Sequence, residues 1–325
     1  MNSQHPAVRW AARAGTVVAA TLGALFVANR ASADESRVLR TIAHVGADSE
    51  PAAAAADVTA PLLEDTLFGR SGKLRFRLLE PSRTLSLPAL ARLFGDSAAR
   101  VPGRLYAVRD SATRSAFSFI TLVPFASKNG SRLGTYNIGF WPGERRRNVS
   151  EAYANPDGFI TVTPENQDTY ISEHFRLRDF LTKDQHRVWP KYLVLREELI
   201  DKLELVIADL ESNGVDVKRM RVMSGFRTPQ YNGPGGNGRS SVSRHMYGDA
   251  ADVFVDNNGD ERMDDLNRDG RVNSADAAVI LRAVERVERR FPDLVGGVGV
   301  YKANRAHGPF AHVDVRGRRA RWGTS

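Results

Sequence analysis

Three side chains in this chain have the types and the setting of a metal centre: His245, Asp252 and His312. The first two stand seven residues apart in SRHMYGDAAD (Ser243 to Asp252), with Gly248 between them. The run AADVFV, which carries Asp252, has the composition of a buried strand. A histidine at the end of a loop and a carboxylate on the strand leaving it meet only where the chain turns sharply, and a glycine permits that turn. Two ligands do not make a protein zinc site; three, with one position left open, are the usual catalytic arrangement. The third candidate lies in PFAHVDVRG (Pro309 to Gly317). Read as a strand, this segment places Phe310, His312, Asp314 and Arg316 on one face and Ala311, Val313 and Val315 on the other. A histidine in a strand is more often a core or surface residue than a ligand, so His312 gains its meaning from the other two.

A second set of residues suits a harder cation. DLNRDGRVNSAD places Asp265, Asn267 and Asp269 at positions one, three and five of a calcium loop, with Gly270 at the sharp turn. Arg271 follows at seven, where the backbone carbonyl is the ligand, then Asn273 at nine and Asp276 at twelve. The spacing begins once before, through Asp256, Asn258 and Asp260, with Glu261 in place of the glycine. The competing reading is an acidic turn that caps a helix starting near Ser274. The complete loop resembles a dockerin calcium loop; a single complete copy implies a structural calcium and no cohesin-type docking partner.

The elements that must position these groups are legible in outline. From Ser172 the pattern turns helical, first in SEHFRLRDFLT (172–182) and then from about Lys191 to Ser212. There Leu195, Leu199, Leu203, Val206 and Leu210 recur at three- and four-residue steps as an apolar stripe. Asn213 and Gly214 end that helix, and VKRMRVMSGFR (Val217 to Arg227) reads as a strand. The glycine-rich NGPGGNGRSS (Asn232 to Ser241) lacks the Lys-Ser/Thr ending of a phosphate loop and opens no helix. Earlier, short apolar and aromatic runs broken by turn residues predict a small β-rich domain over 67–150. A second domain over 165–325 would hold both ion sites, the calcium loop inserted at 256–276, and the whole is expected to be α+β.

Composition bounds the rest. Arg9 and Arg13, an apolar run from Ala14 to Ala28 and the small residues ASA (31–33) predict an export signal over 1–33. An uncleaved anchor is the alternative, although the run is shorter than the roughly 20 residues a spanning helix needs. An alanine-rich spacer over 34–66 would follow, and the mature protein would be periplasmic or otherwise extracytoplasmic, with no membrane span. There is no cysteine, so neither disulfides nor a lipid-modified N-terminal cysteine can support it. Removing Arg9, Arg13 and Arg30 with the leader leaves +5 of the formal +8, and no basic motif interleaved with aromatics points to nucleic acid.

The segments SGFRTPQYN (Ser224 to Asn232), SRHMYGDAAD, GGVGVY (Gly296 to Tyr301) and FAHVDVRG, in that order, resemble the zinc D-alanyl-D-alanine carboxypeptidase family, which shares its fold with hedgehog signalling domains. The family signature S-x-H-x-x-G-x-A-x-D is met at Ser243, His245, Gly248, Ala250 and Asp252. The resemblance runs from about Ser172 to Trp322 and is nearest to a bacterial branch whose last motif is H-V-D. It implies one zinc on His245, Asp252 and His312, able to activate water and polarise a peptide carbonyl. Arg227 would engage the substrate's carboxylate or the developing oxyanion, with a salt bridge to the following loop as the plainer alternative. Ser243 would help to bind substrate. Several relatives carry an acidic general base three residues before the last histidine, where this chain has Pro309. Asp314 is the first substitute, either as base or as a group orienting a ligand, and His307 the second. The implied function is hydrolysis of peptidoglycan stem peptides at a bond involving a D-amino acid, as a carboxypeptidase first and an endopeptidase second. The rival is a non-catalytic, zinc-containing envelope-binding module.

Overall fold

The computed structural model describes residues 56–58, 68–79, 94–95, 100–110, 116–145, 150–234 and 240–323; the expected export signal and most of the spacer lie outside them. In chain order, β1 (Ala56–Val58), β2 (Phe76–Leu79), β3 (Leu105–Asp110) and β4 (Ala116–Thr121) form a sheet in the order β1-β3-β4-β2. The chain continues through β5 (Val123–Pro124) and the short pair β6 (Arg132–Leu133) and β7 (Tyr136–Asn137) to β8 (Gly158–Val162) and β9 (Lys191–Leu193). The N-terminal part is β-rich as expected, but residue 150 is no boundary of packing. β5 pairs with β8 and β8 with β9, so one sheet crosses it. The hydrophobic core crosses it too, running without a break from Leu74 through Trp141 to Val313. The indole N–H of Trp141 donates to the carbonyl of Met246, beside the His245 turn.

Helix α1 (Glu197–Ser212) is the striped helix, and Leu199, Leu203, Val206 and Leu210 are completely buried along it. It begins later than its stripe suggests. Residues 191–193 are strand β9, and Leu195 is buried ahead of the helix, where the Arg196 N–H donates to the carbonyl of Gly248. The helix expected over 172–182 is a correction as well: only a single 3-10 turn forms, Leu177–Phe180. Tyr170 instead bridges Arg176 in sheet-like pairing, and Phe175, Leu177 and Phe180 reach the core from an irregular chain. Tertiary pairing here overrides helical periodicity.

The remaining elements are β10 (Met220–Ser224), β11 (Ala250–Val255), helix α2 (Ser274–Arg290), β12 (Gly297–Tyr301), β13 (Phe310–Asp314) and β14 (Ala320–Trp322). The five strands form a sheet in the order β10-β11-β13-β12-β14. Helix α2 packs on β12 and β13, and α1 packs on α2. Ala251, Val253 and Val255 of β11 and Ala311 and Val313 of β13 belong to the core, which leaves Asp252 and His312 to the other face by the period of two. Pairing puts Ser224 opposite Asp252, Asp252 opposite His312, His312 opposite Gly299 and Gly299 opposite Trp322. Five residues from five separate strands therefore form one rung across the sheet. The β10–β11 register shifts between Val222 and Ser224, next to this rung.

Charges buried beneath the sheet tie the helices to it. Lys202 on α1 is wholly buried, and its ammonium donates to Glu288 Oε1 on α2 at 2.8 Å and to the carbonyl of Asp314 at 2.8 Å. Burial pulls the lysine pKa down against these partners. Removing one member of a buried pair strands the other. Lys202→Met is expected to cost about 3–5 kcal/mol in urea unfolding. A second pair, His174 with buried Glu204, joins through His174 Nδ1 at 2.7 Å. The hydrogen bond to Glu204 raises the His174 pKa despite burial; for Glu204, burial pushes upward but the His174 contacts prevail and lower it. The histidine's contribution is complete below its ordinary value of 6.5 and is lost as pH rises through the raised value; the glutamate's is complete above 4.5 and is lost as pH falls. His174→Gln should therefore destabilise most between about pH 4.5 and 6.5 and progressively less as pH rises through the raised histidine value, as read by thermal unfolding across pH.

Candidate metal centre and cleft

His245 sits on a 3-10 turn, Arg244–Tyr247, that ends at Gly248 in the left-handed region with φ of 66°. A Cβ at Gly248 would lie 2.3 Å from the carbonyl oxygen of Val194. The sharp reversal expected between the histidine and the strand is therefore present, and only glycine fits it. His245 Nδ1–H donates to the Gly225 carbonyl at 2.7 Å, which leaves Nε2 facing inward. His312 Nε2–H donates to Asp314 Oδ2 at 3.1 Å, which leaves Nδ1. Arg227 holds Asp252 Oδ2 at 2.5 Å and Ser224 Oγ at 2.8 Å, which leaves Asp252 Oδ1.

The three atoms left over converge. His245 Nε2 lies 3.2 Å from His312 Nδ1, His312 Nδ1 lies 2.9 Å from Asp252 Oδ1, and His245 Nε2 lies 3.2 Å from Asp252 Oδ1. Ligand atoms around a tetrahedral zinc, at bond lengths of about 2.0–2.1 Å, stand about 3.3 Å apart. All three residues are buried, and among the described residues this is the one group of three or more such side chains able to hold a metal ion. Both imidazoles have a second nitrogen fixed by an outer partner, the arrangement that sets tautomer and ring direction in metal sites. Burial alone would lower His312, but Asp252 and Asp314 outweigh it and hold the imidazole raised to about 9. Burial likewise opposes the charge on Asp252, and its contacts with His245 and His312 overcome this and hold it well below the usual carboxylate range. In His245 burial prevails and lowers the pKa, against the pull of Asp252. The group thus concentrates positive charge around one buried carboxylate, and a cation fits where the His312 proton lies.

The site forms part of the lining of a cleft of about 1240 Å³, together with Arg227, Ser243, His307 and Arg316. That volume exceeds the usual small-molecule range of about 300–1,000 Å³ and suits an extended ligand. The expected salt bridge of Arg227 to the following loop is not its pairing; it grips the candidate ligand Asp252. Asp314 is fully buried, accepts from His312, from the Gly297 amide and from two nitrogens of Arg316, and does not line the cleft. Its geometry is that of a group orienting a ligand. His307 does line the cleft, with Nδ1–H donating to the Gly308 carbonyl and Nε2 accepting from Asn304.

Trp322 was not singled out by sequence. Its ring lies 5.2 Å from that of His312, across Gly299, where a Cβ would fall 2.1 Å from the indole nitrogen. The glycines of GGVGVY were the available signal, since glycine inside a strand marks a close approach. Tyr301 and Phe310 stack nearby at 4.5 Å, and Arg244 is buried in a pair with Asp249 between Tyr153 and Tyr247.

The residues of the expected calcium loop fall elsewhere. Asp265 accepts from the amides of Asp269 and Gly270, Asn267 from that of Asp269, and Asp269 from that of Arg271. Asn273 and Asp276 form the capping box of α2, and Asp276 also accepts from Leu266 and Asn267. The upstream copy closes in the same way, Asp256 accepting from Asp260 and Glu261, Asn258 from Asp260, and Asp260 from Arg262. Glu261 adopts φ of 65° where Gly270 has 81°. The two loops share one backbone path, although one lacks the glycine.

No family model, no curated protein and no solved structure matches this chain. Two substitutions test the centre itself. His245→Ala should abolish stoichiometric uptake of a divalent metal, measured by elemental analysis after incubation with zinc. Asp314→Asn should retain the site but weaken it about 10- to 100-fold in competition with a chromogenic chelator.

Proposed function

We propose that the protein is an exported zinc metallopeptidase that hydrolyses peptidoglycan stem peptides at a bond involving a D-amino acid, by carboxypeptidase action first and endopeptidase action second. The observation that carries this reading is the convergence of one carboxylate and two imidazole nitrogens, each oriented by an outer partner, in a cleft large enough for a peptide. His245, Asp252 and His312 would hold zinc, which supplies a Lewis acid that activates water and polarises the scissile carbonyl. Arg227, already fixed by Ser224 and Asp252, would use the rest of its guanidinium to hold the substrate's carboxylate or the developing oxyanion. Ser243 would contribute to substrate contact. Proton transfer falls to His307, the one of the two candidate bases that lines the cleft.

The second reading, a zinc-containing binding module of the cell envelope, is favoured by one observation: both ring nitrogens of His307 are engaged by its own loop. Digestion of purified peptidoglycan separates the two. Zinc-loaded protein should release alanine or new stem peptides by mass spectrometry, His245→Ala should release none, and His307→Gln should be slower by about 10²–10⁴. Equal digests from parent and His245→Ala would exclude hydrolysis.

We also propose that Asp265, Asn267, Asp269, Asn273 and Asp276, with the Arg271 carbonyl, take a structural calcium. The support is the ligand spacing and the closed path of the loop. Chelator should lower the unfolding temperature of the parent and leave that of Asp269→Ala unmoved; an equal response in both would remove this site.

A further inference from the structure

The charge lining the cleft is lopsided. Six cationic side chains line it, Lys183, Arg227, Arg244, Lys302, Arg305 and Arg316, against a single carboxylate, Asp252, among the described residues. Three of the six are committed to carboxylates of the fold: Arg227 to Asp252, Arg244 to Asp249 and Arg316 to Asp314. The other three, Lys183, Lys302 and Arg305, are exposed, and their side chains have no ion-pair or hydrogen-bond partner among the described residues; Lys183 stands alone on another segment, whereas Lys302 and Arg305 stand together. Both belong to the loop that joins β12 to β13, the strand bearing His312.

That loop is built as a fixed turn. Tyr301 and Phe310 stack at its base with ring planes 6° apart. Asn304 Oδ1 accepts from the amides of Ala306 and His307, the Asn304 amide donates to the His307 carbonyl, and the His307 ring packs its edge on Phe310 at 4.8 Å. Two cations are therefore held at the cleft on a braced turn instead of being satisfied by neighbouring acids. Uncompensated charge in a concave site attracts an opposite charge on the ligand.

We infer that Lys302 and Arg305 form a specificity subsite for a second carboxylate of the bound peptide, separate from the group held at Arg227. This rests on the proposed peptidase reading for the identity of the ligand as a peptide, and it adds that the ligand must be internally acidic. A peptide with its internal carboxylates free would then be preferred over the same peptide with those groups amidated, and the preference would fade with salt.

The test uses two synthetic stem peptides ending in D-Ala-D-Ala, one with internal carboxylates free and one with them converted to primary amides. Binding to the zinc-loaded full chain is measured by calorimetry, and turnover of both peptides is followed in parallel. The acid peptide should bind about 5- to 10-fold tighter than the amide. Lys302→Gln with Arg305→Gln should bring the ratio close to one, while Lys302→Arg with Arg305→Lys should preserve it; circular dichroism and zinc content control for folding. Equal affinity of the parent for the two peptides, a ratio unchanged in the Gln variant, or failure to bind either peptide would overturn the subsite. Preference without turnover would retain the subsite and remove the hydrolase reading; turnover without preference would do the reverse.

Discussion

The carboxylate of Asp252 is buried in the middle of a sheet, and an ion taken out of water there survives only with partners on every side. Arg227 takes one oxygen; His245 and His312 face the other. Each partner comes from a different element, so the requirement to satisfy one charge dictates how β10, β11, β13 and the His245 turn must meet. The Gly248 reversal, the opposed pairing of Asp252 with His312 and the shift in β10 beside Ser224 are the geometric conditions for it.

Around that charge the structure alternates sign outward. Asp252 is ringed by Arg227 and the two imidazoles; His312 is backed by Asp314; Asp314 is clamped by Arg316, and its backbone carbonyl receives Lys202 from α1. Lys202 meets Glu288, and Glu288 meets Arg321 on β14. The chain of contacts joins the cleft face of the sheet to the helices on its other face. The orientation of the candidate ligands therefore depends in part on Asp314, Lys202 and Glu288, which do not line the cleft. With no cysteine, such buried polar ties and the continuous core hold the fold without disulfides.

The three candidate ligands and their strands were legible because their signals are local: a glycine at the turn, an apolar run for β11, and alternation in β13. The stripe of α1 and the cap of α2 were legible for the same reason. The region 172–182 misled because apolar residues on an irregular chain can mimic helical spacing, while its backbone pairs through contacts between Tyr170 and Arg176. A change in sequence texture near residue 150 says nothing about whether β5 will find β8 across it.

By itself the sequence determined which groups could ligate a metal, where the chain must reverse between two of them, and that no disulfide could assist. Tertiary structure alone decided which atom of each ligand faces inward, that Arg227 grips Asp252, and that Asp314 is locked behind His312 while His307 stays at the cleft. It also set Trp322 against His312 across Gly299. The physical reason is that these assignments depend on register between distant strands and on competition among hydrogen-bond partners, neither of which is encoded within any short window of residues.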